Sequence, residues 1–189
     1  EADLPRANLV VEALGRTGDR YRDRVLALLS QPIEDFTNNP MTWMEGLAVR
    51  LAGELRLHEA VPLICRKLQE DAEWLSSECV EALVKIGSDE VVAAIEEDFP
   101  ISAWSFRLFA SHVLEQIHSD HSLQATLRLL DGELSRDVRT NLAEAALRQF
   151  SPEAIERIRR MTLARAVDLR YSHIRQMLIA SCKALDVRF

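Results

Sequence analysis

A helix–corner–helix passage recurs along this chain of 189 residues, and a recurring unit of that size restricts the fold more than any single motif could. It is clearest at Glu81-Ala-Leu-Val-Lys-Ile-Gly-Ser-Asp-Glu-Val-Val-Ala-Ala-Ile95. Comparable passages begin at Glu12, Leu51, Val113 and Ala146, and a last one starts at Cys182. With Ile86 as anchor, the equivalents are Thr17, Leu55, Ile117, Phe150 and Leu185, spaced 31 to 38 residues apart. Three residues before the anchors stand Leu14, Ala52, Leu83, Leu114, Leu147 and Cys182, and four before those stand Val10, Ala48, Cys79, Ala110, Ala143 and Leu178. Steps of three and four place these columns on one helix face. The frequent Ala and Cys in them let neighbouring helices approach closely.

Each anchor is followed by a corner and a new helix start. Asp19, Ser88, Ser119 and Ser151 are placed to accept from free amides of the next first turn, and Pro152 suits the first helical position. Acidic residues Glu59, Asp89, Glu90, Asp120 and Glu153 gather at these starts, where the helix dipole favours them. The pattern predicts a leading helix over 4–17 and five pairs: 20–30 with 41–56, 59–70 with 72–87, 89–98 with 102–118, 120–132 with 135–150, and 152–164 with 167–185. A hydrophobic fraction of 48% with only six Gly and six Pro fits an all-α chain with a substantial core.

The passages Leu51-Ala-Gly-Glu-Leu-Arg-Leu-His-Glu-Ala-Val-Pro-Leu63 and Ala82-Leu-Val-Lys-Ile-Gly-Ser-Asp-Glu-Val-Val92 resemble HEAT repeats, closest to the short HEAT-like class first named for phycobilisome lyases. The apolar-Arg pair opening the second helix of that motif is matched by Phe106-Arg107, Val138-Arg139 and Ile174-Arg175, and is lost at Met44-Glu45 and Leu75-Ser76. The resemblance covers nearly the whole chain. It implies one domain over 1–189, a right-handed α-solenoid of about five HEAT-like helix pairs plus a leading helix, with repeats at roughly 19–57, 58–87, 88–118, 119–150 and 151–185. Second helices would line its concave side. HEAT arrays serve many tasks, so the resemblance implies a fold rather than a chemistry.

The repeat register also exposes a polar column on the second helices. Glu12 with Arg16, Arg50 with Glu54, and Glu81 with Lys85 are each four apart at equivalent positions; His112 with Gln116 follows, and Glu144 with Arg148 lies within one residue of register. The residues expected to meet a protein partner are Arg50, Glu54, Glu81, Lys85, His112 and Arg148. Against this stands the plain reading of a solvated helix face with weak i,i+4 pairs. Trp43, Trp74 and Trp104 recur near second-helix starts and form a second candidate, an aromatic edge; packing over the repeat interface is the structural alternative. The segment Gln31-Pro-Ile-Glu-Asp-Phe-Thr-Asn-Asn-Pro40 lengthens one connection, as a partner-contacting loop or a tolerated insertion.

Charge is uneven. Residues 1–120 carry 11 Lys/Arg against 22 Asp/Glu, while 121–189 carry 12 against 8, a polarity that would allow self-association of acidic and basic ends. Arg157, Arg159, Arg160, Arg165, Arg170 and Arg175 form the strongest basic feature. HEAT-like DNA glycosylases use such surfaces against phosphates, but the acidic remainder argues against a tract following nucleic acid. His118-Ser-Asp-His121 offers too few ligands for a convincing metal site. His58-Glu59 is one His-Glu dipeptide, where the HEAT-like deoxyhypusine hydroxylases need several. Neither a phosphate loop nor a nucleophile elbow is present, so no catalytic, metal or cofactor residue is assigned. Cys65, Cys79 and Cys182 read as small buried residues of a reducing, cytoplasmic protein, and no apolar run is long enough to span a bilayer. The expected function is a non-catalytic protein–protein interaction scaffold; the alternative is an enzyme or nucleic-acid-processing protein on the same scaffold.

Overall fold

Apolar residues spaced three and four apart make a stripe that one helix cannot cover by itself, and here neighbouring helices cover it. The computed structural model describes residues 4–31, 41–70, 73–170 and 173–187. Among these are eleven α-helices and no strand: α1 (Leu4–Gly15), α2 (Arg22–Leu29), α3 (Met41–Glu54), α4 (Val61–Leu68), α5 (Glu73–Ile86), α6 (Asp89–Asp98), α7 (Trp104–Gln116), α8 (Asp120–Gly132), α9 (Arg136–Arg148), α10 (Pro152–Leu163) and α11 (Ile174–Ala184). All eleven expected helices occur. The lengthened connection after Gln31, residues 32–40, lies outside the described residues. None of the described helices is long and apolar enough to cross a membrane.

The chain divides into two compact units, Glu1–Ala94 and Ile95–Phe189, the division falling within α6. In the first, α3 packs on α1, α2 and α5, and α4 packs on α5. In the second, α9 has the same central place, touching α7, α8, α10 and α11. The two apolar columns are buried from Ala48 to Leu178 and from Ala52 to Cys182, and they loosen only at Val10 and Leu14 in α1. Small residues do allow close approach: a Cβ built on Gly53 would stand 2.7 Å from Ala82 Cα and 3.3 Å from its carbonyl oxygen, so α3 and α5 meet backbone to backbone. All three cysteines are buried and unbridged.

The corners correct the register in one place. A residue with left-handed backbone follows the anchor at Gly18 (φ 66°), Arg56 (49°), Gly87 (60°) and Asp186 (52°). Phe150, taken from the sequence as an anchor, has φ 51° and is exposed, so it occupies the corner and Gln149 takes the anchor position. An aromatic side chain there had simulated the buried Ile86 and Ile117. The shift brings Glu144 and Arg148 into full register with Glu81 and Lys85. Of the expected capping serines, Ser119 accepts from the Ser122 amide at 3.1 Å, whereas Ser151 makes no side-chain cap bond.

The second correction concerns α11, expected from 167 and observed from Ile174. Residues 166–168 are held outside any helix by side chains of α9. Arg136 Nη2 donates to the Val167 carbonyl at 3.1 Å, Arg139 Nη1 to the Ala166 carbonyl at 3.3 Å, and the Asp168 amide to Thr140 Oγ1 at 2.9 Å. Asp168 in turn accepts from the Arg170 amide at 2.8 Å and from its guanidinium, which holds the Asp168 carboxyl down at about 2. Backbone groups satisfied this way have no need of a helical turn.

Arg139 belongs to a ladder that explains two of the three apolar-Arg pairs, Phe106-Arg107 and Val138-Arg139. Arg107 donates to the Ser102 carbonyl at 3.3 Å and pairs with the buried Glu133 carboxylate at 3.1 Å; Arg139 donates to the Glu133 carbonyl at 2.9 Å and reaches on to Ala166. Each arginine ties the loop before its own helix to the next loop. At Met44-Glu45, one of the two positions where the pair is lost, Glu45 replaces the cation and forms an ion pair with Lys67 of α4, each side chain only 5% exposed. Half-buried Glu70 stands beside this pair. Burial is the largest effect on its carboxyl and pushes it up; Glu45 adds to the rise and Lys67 opposes it.

A carboxyl that holds its proton more tightly when folded weakens the fold once ionised. The penalty grows as pH rises from the unfolded carboxyl range through the raised folded value, and it stays constant above that. Glu70→Gln is therefore expected to raise stability at pH 7 by a few tenths of a kcal/mol, discounted for partial exposure, and to lose that advantage in acid. Urea titrations of both proteins across the acid range check this. An advantage that persists unchanged at low pH would assign it to packing instead.

Candidate interaction face

The two candidate groups from the sequence, column and tryptophans, fall on the same helix faces. On α3, Trp43, Leu47, Arg50 and Glu54 follow one another at steps of four, three and four; on α5, Trp74, Glu78, Glu81 and Lys85 do the same. That spacing keeps each set in line along its helix. Because α3 and α5 pack side by side, the two lines make one surface, aromatic at the helix starts and charged at their ends.

The aromatic end is neither buried nor free. Trp43 is 49% exposed and Trp74 37%, with ring centroids 5.8 Å apart at 36°. Trp74 lies over the notch left by Gly46, where a Cβ would come within 2.5 Å of Cζ3, so the glycine admits the ring against α3. Met44 adds a further exposed apolar side chain (45%). Tryptophan at these helix starts thus packs on one side and presents the other to solvent.

The charged end is cross-braced between helices. Arg50 Nε and Nη2 donate to both carboxylate oxygens of Glu78, at 2.8 and 2.5 Å, and Nη1 donates to Asn8 Oδ1 of α1. Lys85 Nζ pairs with Glu54 at 2.5 Å. Glu81 is exposed and adds attraction to the Arg50 guanidinium, whose charge is held chiefly by Glu78. The expected i,i+4 pairing of Arg50 with Glu54 and of Glu81 with Lys85 gives way to pairing across α3 and α5. Cross-helix partners are nearer in a packed pair of faces, and they fix both helices at once. Arg50 is the brace, while Glu54, Glu81 and Lys85 stand exposed at the charged end.

In the second unit, His112 of α7 and Arg148 of α9 converge on a residue the sequence reading passed over, Glu115. His112 Nδ1 stands 3.7 Å from one carboxylate oxygen, Arg148 pairs with the other, and the Asn141 amide lies 3.3 Å from His112 Nε2. The neighbouring His112 ring and the Arg148 charge hold the Glu115 carboxyl below the usual range despite partial burial. Trp104, 48% exposed, donates from Nε1 to Ser135 Oγ at 3.2 Å. Glu78 and Glu115 were legible in principle: each lies three residues from a column member, Arg-facing once adjacent helices are considered.

The remaining histidines do not gather. His58 pairs with Glu90 at 3.4 Å on the surface, and among the described residues no group of three or more His, Cys, Asp and Glu is placed to hold a metal ion. No family model and no curated protein sequence matches the chain.

Proposed function

We propose that the chain is a HEAT-like protein-interaction scaffold that binds a protein partner across the α3/α5 face. The observation that carries this reading is the half-exposed Trp43–Trp74 pair with Met44, in line with a braced row of charges. Tryptophan held rigid against a glycine notch loses little freedom when covered, and large aromatics of this kind supply much of the affinity of protein interfaces. The charged row sets the register of whatever lies across it, through Glu54, Glu81 and Lys85, because exposed charges contribute to orientation more than to affinity. Arg50 and Glu78 keep that row in place before a partner arrives.

A partner isolated from the source cell with the wild-type chain should be lost with Trp43→Ala/Trp74→Ala. Removal of an aromatic anchor of this size costs about 2 kcal/mol or more, roughly thirtyfold in affinity. Glu81→Lys/Lys85→Glu should weaken capture less and change its salt dependence. Recovery of the same proteins in the same amounts from wild type and both variants would remove this face from consideration.

A further inference from the structure

We propose that a second surface, the groove between α10 and α11, docks an acidic amphipathic helix from a partner protein. The groove has a volume of about 470 Å³ and an apolar lining that includes Leu163, Leu178 and Ile179, with Arg159, Arg165 and Arg175 around it. Leu163 is 76% and Ile179 61% exposed, an unusual state for two branched aliphatic side chains side by side on a groove.

The arginines identify the occupant. Arg157 pairs with Asp131, Arg159 and Arg160 with Glu156, and Arg170 with Asp168. Arg165 and Arg175 are both exposed and have no carboxylate partner among the described residues, and both line the groove. The backbone of Arg165 is set by the corner itself. It sits in the left-handed corner after α10 (φ 56°), closed by the Ala166 amide donating to the Met161 carbonyl at 2.9 Å. Two exposed guanidiniums flanking an apolar trough match a helix whose large apolar residues at i, i+3 or i+4, and i+7 are bordered by Asp or Glu. A nucleic acid backbone would satisfy the guanidiniums but leave Leu163 and Ile179 uncovered. The groove residues are all in the second unit and none belongs to the α3/α5 face, so either proposal can fail without the other.

The test pans the full chain against a displayed library of helical segments of about four turns, randomised among Leu, Ile, Phe, Ala, Gln, Lys, Asp and Glu. Enriched segments should combine the apolar spacing with flanking acidic residues. A fluorescent peptide copied from one of them should lose about tenfold in affinity with Ile179→Asp, an exposed position where folding is not at stake. Arg165→Glu/Arg175→Glu should bind it more weakly and should prefer the peptide with acids changed to Lys. The proposal is overturned by absence of enrichment, by enrichment of basic or neutral segments, or by affinity indifferent to both variants. It is equally overturned if duplex DNA displaces the peptide and binds the chain more tightly, or if sedimentation shows copies of the chain joined through this groove.

Discussion

Lys67→Met should destabilise the chain by about 3–5 kcal/mol, the largest effect expected of any single substitution considered, and lower its melting temperature by about 10 °C. The reason is what it leaves behind. Glu45 and Lys67 are both 5% exposed, so removing the ammonium strands a carboxylate inside the packing of α3, α4 and α5. Glu70, already disfavoured as an anion by burial, stands close enough to compound the strain. Glu70→Gln should recover part of the loss in the Lys67→Met background, a coupling absent for distant sites. The double change Glu45→Leu/Lys67→Met should return to within about 1 kcal/mol of wild type or exceed it, since a buried pair is offset almost entirely by its desolvation. Urea unfolding of wild type, Lys67→Met, Glu70→Gln and the two double variants, five proteins, reads all of this. If Glu45→Leu/Lys67→Met is as unstable as Lys67→Met, the site needs the charges themselves and the desolvation account is wrong.

That pair also marks where the sequence was legible and where it was not. Columns of small and aliphatic residues located every second helix, and the corners and helix starts after each anchor located those between, because a buried stripe at steps of three and four is a local signal repeated many times. Met44-Glu45 was legible only as a broken motif. What replaced it depended on Lys67, a residue 22 positions away on another helix, and an isolated Lys in Cys65-Arg-Lys-Leu68 reads as surface. Phe150 misled for the opposite reason. Hydrophobicity put it in the anchor column, but the left-handed corner is a backbone property, and at Phe150 no glycine announces it as Gly87 does. The column residues pair differently from what their spacing along one helix suggests. Arg50 reaches Glu78 and Lys85 reaches Glu54 because α3 and α5 lie side by side, and spacing along one helix carries no information about that.

Arg139→Met should cost about 2–3 kcal/mol, and the cost should be localised. The guanidinium serves the Glu133 carbonyl with Nε at 2.9 Å and with Nη2 at 2.5 Å, and it serves the Ala166 carbonyl with Nη1 at 3.3 Å. Both acceptors belong to connections rather than helices, so neither has a helical donor to fall back on. Methionine fills the volume and donates nothing. Amide exchange should therefore quicken at Asp168 and Arg170, whose protection depends on how the connection after α10 is held against α9, while Leu142 and Ala146 in the middle of α9 change only with global stability. Arg139→Lys distinguishes a fork from a charge. An ammonium can reach one carbonyl but not span two connections, so less than half of the stability should return. Full recovery with lysine would mean that the position needs only a cation, and the apolar-Arg pair would then owe its place in this chain to electrostatics and not to the tying of successive loops.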